Sequence, residues 1–122
     1  MAIPKSLKTW FTMHFVVDYI FAIPLLLIPE HFLRSLGWSY YDPFASAIVA
    51  GSLFAIGGVS FLHRKAGHDV YKTMLQLKLI WSWFVIIGVG MNITSSSNLA
   101  EWAVLSIFAV FFVLWGYYYM RY

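Results

Sequence analysis

Four apolar stretches of about twenty residues each follow one another along this 122-residue chain. A helix rises about 1.5 Å per residue, so a stretch of this length crosses the roughly 30 Å hydrocarbon core of a bilayer. We place the spans at residues 7–28, 44–62, 71–91 and 99–120. The sequence therefore predicts an all-α membrane protein, with a single transmembrane domain over residues 1–122 folded as a four-helix antiparallel bundle.

The composition agrees with a chain that lies in lipid and excludes several kinds of function. Hydrophobic residues make up 61% of the chain and charged residues 11%, against roughly 45–50% and 25% in soluble domains. Cysteine is absent, which removes thiol catalysis and thiolate metal ligands. The net charge of +3 is too small and dispersed for a nucleic-acid partner. No enzyme, phosphate-loop or haem pattern stands out, so we expect neither a cofactor nor a metal.

The connection between the first two spans predicts a short helix, at residues 29–36, that lies in the membrane interface. Pro29 suits a first helical turn, the apolar residues share one face, and Gly37 suits a helix end. Before the second span, Asp42 is placed to cap free backbone amides, and Pro43 occupies the first helical position. The start of the second span is therefore the best-marked boundary in the sequence.

Lysine and arginine residues at or beyond the span ends concentrate on one side of the predicted membrane. That side carries Lys5, Lys8, Arg64, Lys65, Lys72 and Arg121, whereas the other side carries only Arg34. Under the positive-inside rule this bias predicts a multi-pass protein of the cell membrane with both termini in the cytoplasm. Tryptophan and tyrosine residues near the span ends, Trp115 among them, are predicted to form interfacial belts.

Polar side chains inside the spans are the most informative for function. His14 and Asp18 are four residues apart, so they share one helix face and can contact each other. Lys78 lies at a comparable depth on the third span, with Ser82 one turn further, which makes an Asp18–Lys78 pair sterically possible. The cluster is either a polar contact that fixes helix packing or a proton- or cation-binding pocket. Trp81 either lines such a pocket or fills the bundle.

Three further features of the spans concern helix shape and packing. Ala47, Gly51 and Ala55 recur every four residues on the second span, a spacing that lets helices approach closely. Their partner is a neighbour in the same bundle or, alternatively, a second copy in a homodimer. Pro24 interrupts the backbone hydrogen bonding of the first span and predicts a kink there. Four other glycines are assigned to close packing: Gly57, Gly58, Gly88 and Gly90.

Two segments, LLLIPEHFLRSLGW at residues 25–38 and DPFASAIVAGSLFAIGGVSFL at residues 42–62, resemble the first half of DoxX-like small four-helix membrane proteins. The shared features are a Pro-Glu turn after the first span and a second span rich in small residues. This resemblance implies a four-helix bundle and carries over no reaction and no catalytic residue. Ala47 stands where many such relatives have a basic residue. The chain is also similar in size to the small multidrug transporters, which carry one acidic residue in the first span. Asp18 occupies the first span of this chain.

The leading hypothesis is a non-enzymatic protein that binds or transports a small hydrophobic or cationic molecule. Asp18 would be the proton or cation site, His14 would tune it, Lys78 would be the counter-ion, and Trp81 would line the pocket. The alternative is a structural or accessory membrane subunit that docks other helices or self-associates. A membrane enzyme that acts on lipid is a third hypothesis. In each case the lipid bilayer is the surrounding partner.

Overall fold

The computed structural model describes residues 2–122, and these residues form five α-helices. They are α1 (Lys5–Leu27), α2 (Pro29–Ser35), α3 (Pro43–Leu62), α4 (His68–Asn92) and α5 (Leu99–Arg121). All except α2 are long and apolar enough to cross a membrane, and they coincide with the four predicted spans. The described part of the chain is thus all-helical, with the pattern of a multi-pass membrane protein.

The end of α2 is set by the glycine that the sequence singles out. Gly37 has a φ of 94°, a left-handed conformation that costs glycine little because it has no Cβ atom. Its amide donates to the Arg34 carbonyl at 3.0 Å, and the Trp38 amide donates to the Leu33 carbonyl at 3.0 Å. These two bonds satisfy carbonyl groups that the helix end would otherwise leave open. The predicted helix stop at Gly37 is confirmed.

Side-chain caps mark the starts of α3 and α5. The Asp42 carboxylate accepts a hydrogen bond from the Ala45 amide at 3.0 Å, and Pro43 is the first residue of α3, as predicted. At α5, the Asn98 side chain accepts from the Glu101 amide at 2.8 Å. Each cap occupies an amide that has no partner within its own helix. The α5 cap is a feature that the sequence analysis did not identify.

The last turn of α1 contains the proline of the first span. α1 continues through Pro24 and ends at Leu27, and the Ile28 amide donates to the Pro24 carbonyl at 2.8 Å. Because proline has no amide hydrogen, the backbone bond that would reach the Ile20 carbonyl is absent. The kink predicted at Pro24 stays a prediction.

The chain divides into two compact units, Met1–Gly67 and His68–Tyr122, which we describe separately. In the first unit, α1 packs against α3, and the two helices run in opposite directions. Phe15 stacks on Phe61 with ring centroids 4.6 Å apart, and Tyr19 meets Phe54 edge-on at 4.9 Å. α2 packs against α1 through an edge-to-face contact of Phe32. The buried face of α1 consists of Leu7, Phe11, His14, Asp18, Ala22 and Leu25.

In the second unit, α4 and α5 also run in opposite directions. Trp81 meets Phe108 edge-on with centroids 5.0 Å apart, and Trp83 lies against Phe112 at 5.5 Å. Aromatic pairs of this kind contribute contact area and a favourable ring geometry. The buried face of α4 consists of Tyr71, Met74, Leu75, Lys78 and Ser82.

Three polar links join the first turns of α4 to the last turns of α5. Lys72 Nζ donates to the Tyr119 carbonyl oxygen and lies 4.0 Å from the centroid of the Tyr119 ring. The Gln76 side-chain amide donates to the Tyr119 hydroxyl at 3.0 Å. His68 Nε2 contacts the Tyr122 carbonyl oxygen. Lys72 thereby satisfies a carbonyl group at the end of α5, where a helix has no donors of its own, and Gln76 adds a link to a side-chain hydroxyl.

Candidate functional site

The candidate site is centred on a carboxylate and an imidazole inside α1. His14 Nδ1 lies 3.3 Å from Asp18 Oδ2, and each residue is only 4% exposed. The four-residue spacing places both on the buried face of the helix, as the sequence predicts. A buried carboxylate is stable only with a compensating partner. His14 is such a partner, and its charge depends on whether it holds a proton.

Gly57 of α3 lies directly against Asp18 of α1. A Cβ atom added to Gly57 would lie 3.0 Å from Asp18 Cβ and 3.1 Å from Asp18 Oδ2. The Tyr19 hydroxyl donates to the Phe54 carbonyl at 3.2 Å, and a Cβ atom on Gly58 would lie 2.9 Å from that hydroxyl oxygen. The two glycines therefore allow the close approach of α3 to α1. Their assignment to close packing is confirmed.

The predicted packing residues of α3 lie on a different face. Ala47, Gly51 and Ala55 are exposed, and a Cβ atom on Gly51 would meet nothing within 4 Å among residues 2–122. The buried face of α3 consists of Ser46, Ala50, Leu53, Ile56, Gly57 and Ser60. In α4, Gly88 and Gly90 also have open space around them within the described residues. Their assignment to close packing stays a prediction. Contact of the Ala47 series with a second copy stays a prediction.

The second unit holds a buried lysine on α4. Lys78 and Ser82 are each 1% exposed and lie one turn apart. Lys78 Nζ is 5.2 Å from the centroid of the Trp115 ring, within the range of a cation–π interaction. Trp115 has no exposed surface among the described residues. Its predicted place in an interfacial belt stays a prediction. Trp81 is half-buried, and its ring contact with Phe108 is a packing contact.

The predicted site residues are thus distributed over the two units. The first unit holds Asp18 beside His14, and the second holds Lys78 with Ser82. The Asp18–Lys78 pair stays a prediction. Sequence reasoning missed the hydrogen bond of Tyr19 and the role of Trp115 beside the lysine. A signal for Trp115 would have been the need of a buried ammonium group for an aromatic or polar neighbour.

No group of three or more histidine, aspartate or glutamate side chains is placed to hold a metal ion within residues 2–122. Comparisons of the chain with protein-family models, with curated proteins and with solved structures give no match. The function of the site has to follow from the chemistry of its own residues.

Proposed function

We propose that this protein binds or transports a small hydrophobic or cationic molecule in the membrane, with Asp18 as the binding group. The observation that carries this proposal is the burial of Asp18 beside His14 within an apolar helix. An ionised carboxylate at the centre of a span costs roughly 2.5–3.5 kcal/mol on insertion scales. Residues retained at such a cost commonly line a binding site or a proton pathway.

The chemistry of the pair fits a cation that exchanges with a proton. A deprotonated Asp18 attracts a cation, and the low dielectric of the surroundings strengthens this attraction. A proton that leaves the carboxylate has an acceptor in His14, whose Nδ1 is 3.3 Å away. Cation and proton therefore compete for one carboxylate. Such competition is the basic requirement for coupling the movement of the cation to the movement of the proton.

The membrane arrangement that we propose is an antiparallel four-helix bundle with α2 in the membrane interface and both termini in the cytoplasm of a cell. Its support is the charge bias, since Arg34 is the only basic residue on the side opposite the termini. The resemblance to DoxX-like proteins supports the same number of helices. Lys78 is the proposed counter-ion of Asp18 in this bundle.

The binding proposal is tested with a radiolabelled lipophilic cation, tetraphenylphosphonium, in equilibrium dialysis against the purified protein. Asp18→Asn is expected to lose binding. Asp69→Asn is the matched control, because it removes a carboxylate whose side chain is fully exposed. Binding by the wild type is expected to strengthen as pH rises, because fewer protons compete for Asp18. Equal binding by wild type and Asp18→Asn, or no binding of any cation in a panel, would contradict the proposal.

A second candidate function is that of a structural or accessory subunit that docks other helices or pairs with itself. The observation that favours it is the exposure of Ala47, Gly51 and Ala55 on α3. The chain has no cysteine, so a single Gly51→Cys variant gives a clean disulfide crosslinking probe. A disulfide-linked dimer is expected in native membranes for Gly51→Cys and not for Val113→Cys, an α5 position that is 70% exposed. Monomer alone for Gly51→Cys would contradict self-association through this face.

A further inference from the structure

A groove of about 460 Å³ lies in the first unit, where α1 passes into α2. Its lining consists of Ile28, Pro29, Glu30, His31, Arg34 and Tyr41. The groove is shallow and open to its surroundings, so it can hold a polar group at the surface without enclosing it. Unlike the surroundings of Asp18, the groove carries its charged groups outside the long apolar helices. None of its residues takes part in the function proposed above.

The two charged groups of the groove contact each other without being locked together. Arg34 Nη2 lies 3.0 Å from Glu30 Oε1, and Arg34 Nε donates to the same oxygen at 3.2 Å. The side chains are 62% and 56% exposed, respectively. Exposed ion pairs of this kind contribute little net stability, so a ligand can separate them at small cost. Both the guanidinium and the carboxylate are therefore available to a bound molecule.

The chemistry of the lining matches a ligand that carries one negative and one positive group. A guanidinium binds phosphate oxygens through paired N–H donors. A carboxylate accepts hydrogen bonds from a primary ammonium group, and Tyr41 also lines the groove. Ile28 and Pro29 offer an apolar edge beside these groups. From this juxtaposition we propose that the groove binds a phosphoethanolamine group, as found in the headgroup of phosphatidylethanolamine.

The position of the groove favours a lipid as the source of this group. The groove lies between two helices that are long enough to cross a membrane, and a connection between two such helices lies at headgroup depth. This step rests on the membrane arrangement proposed above, although not on the role of Asp18. The charges also predict selectivity. A purely anionic headgroup leaves Glu30 facing a like charge, and a choline headgroup has no N–H to donate to it.

The test is native mass spectrometry of the full chain in detergent with an equimolar mixture of phosphatidylethanolamine, phosphatidylcholine and phosphatidylglycerol of identical acyl chains. We expect the wild type to retain phosphatidylethanolamine several-fold over the other two lipids. Arg34→Gln is expected to reduce retention of all three, and Glu30→Gln to abolish the preference over phosphatidylcholine. Lys65→Gln and Asp69→Asn, which remove exposed charges elsewhere, are the matched controls and should retain the preference.

A charge-exchanged variant, Glu30→Arg with Arg34→Glu, keeps an ion pair at the same helical spacing and so preserves the surface chemistry of α2. It is expected to lose the lipid preference. Retention of the preference in this variant, or equal retention of the three lipids by the wild type, would overturn the proposal.

Two further measurements distinguish a lipid from a free phosphate ester as the ligand, and the groove from Asp18 as the site that binds it. Displacement of the lipid by water-soluble glycerophosphoethanolamine would support the groove as a site for the free phosphate ester, and retention in its presence supports the lipid. Asp18→Asn is expected to keep the phosphatidylethanolamine preference. Loss of the preference in Asp18→Asn would overturn the assignment of the headgroup to this groove, whereas failure of cation binding at Asp18 leaves the assignment intact.

Discussion

Replacement of Gly57 by alanine is expected to destabilise the contact between α1 and α3 relative to the same replacement at Gly51. Both glycines lie inside α3, so both variants gain the same helix-propensity term, about 0.5–1 kcal/mol. The two variants differ in the space around the added Cβ atom. The added Cβ meets Asp18 Cβ at 3.0 Å and Tyr19 Cε1 at 3.3 Å at position 57, whereas it meets nothing within 4 Å among residues 2–122 at position 51.

The steric term sets the magnitude of this difference. Asp18 Cβ is attached directly to the backbone of α1, so rotation of its side chain cannot move this atom away. The two helices have to separate, or the backbone has to shift, and overpacking of this kind costs roughly 1–3 kcal/mol. Because the propensity terms cancel in the comparison, Gly57→Ala is expected to be less stable than Gly51→Ala by roughly 1–3 kcal/mol.

The measurement is reversible unfolding in mixed micelles, with dodecyl sulfate as the denaturant and far-ultraviolet circular dichroism as the readout. The two alanine variants and the wild type are compared under one condition, so that the difference in free energy of unfolding comes from matched curves. Equal stability of the two variants would refute the close approach of α3 to Asp18. A more stable Gly57→Ala would refute it even more directly.

Three other predictions use the same unfolding assay. Tyr19→Phe removes the hydroxyl that donates to α3, and it is expected to cost about 0.5–1.5 kcal/mol, whereas Tyr40→Phe, at a residue that is 75% exposed, should leave stability unchanged. Asn98→Ala removes the cap of α5 and should cost about 1 kcal/mol, with faster hydrogen exchange in the first turn of that helix. A double-mutant cycle on Asp18→Asn and Lys78→Met should give a coupling of at least about 0.5 kcal/mol if the two residues are partners, and strictly additive effects would contradict the predicted pair.

The long helices could be predicted from the sequence because apolar stretches of this length are typical of chains that lie in a lipid bilayer. Without water to satisfy the backbone, an apolar stretch that crosses a bilayer has to form its hydrogen bonds internally, so length and apolar character alone define a helix. The four long helices agree with the predicted spans to within three residues at each end. Asp42 and Gly37 then fixed two boundaries by local chemistry, which needs no knowledge of distant contacts.

The face of α3 that packs against α1 could not be predicted from the sequence in the same way. The helix carries two series of small residues one position apart, Ala47 with Gly51 and Ser46 with Ala50. One position corresponds to a rotation of about 100°, so the series point to different faces, and either allows close approach. The choice depends on what α1 presents, and the Asp18 contact at Gly57 requires the second face.

In α5, the contact between Trp115 and Lys78 is a second feature that could not be predicted from the sequence. A tryptophan near the end of a span is typical of the membrane interface, and the sequence therefore placed it there. The structure also buries it near Lys78, whose ammonium group gains from an aromatic face. The relevant partner is 37 residues away along the chain, at position 78, so no local pattern reveals the contact.

The polar links between α4 and α5 have a mechanical consequence. Sliding one helix along the other by a single residue displaces it by about 1.5 Å, more than a hydrogen bond tolerates. Lys72, Gln76 and His68 would then lose their α5 partners together. Shear between packed helices is one of the common ways in which proteins change shape. The three links therefore oppose sliding of α4 along α5 and favour a fixed register between the two helices.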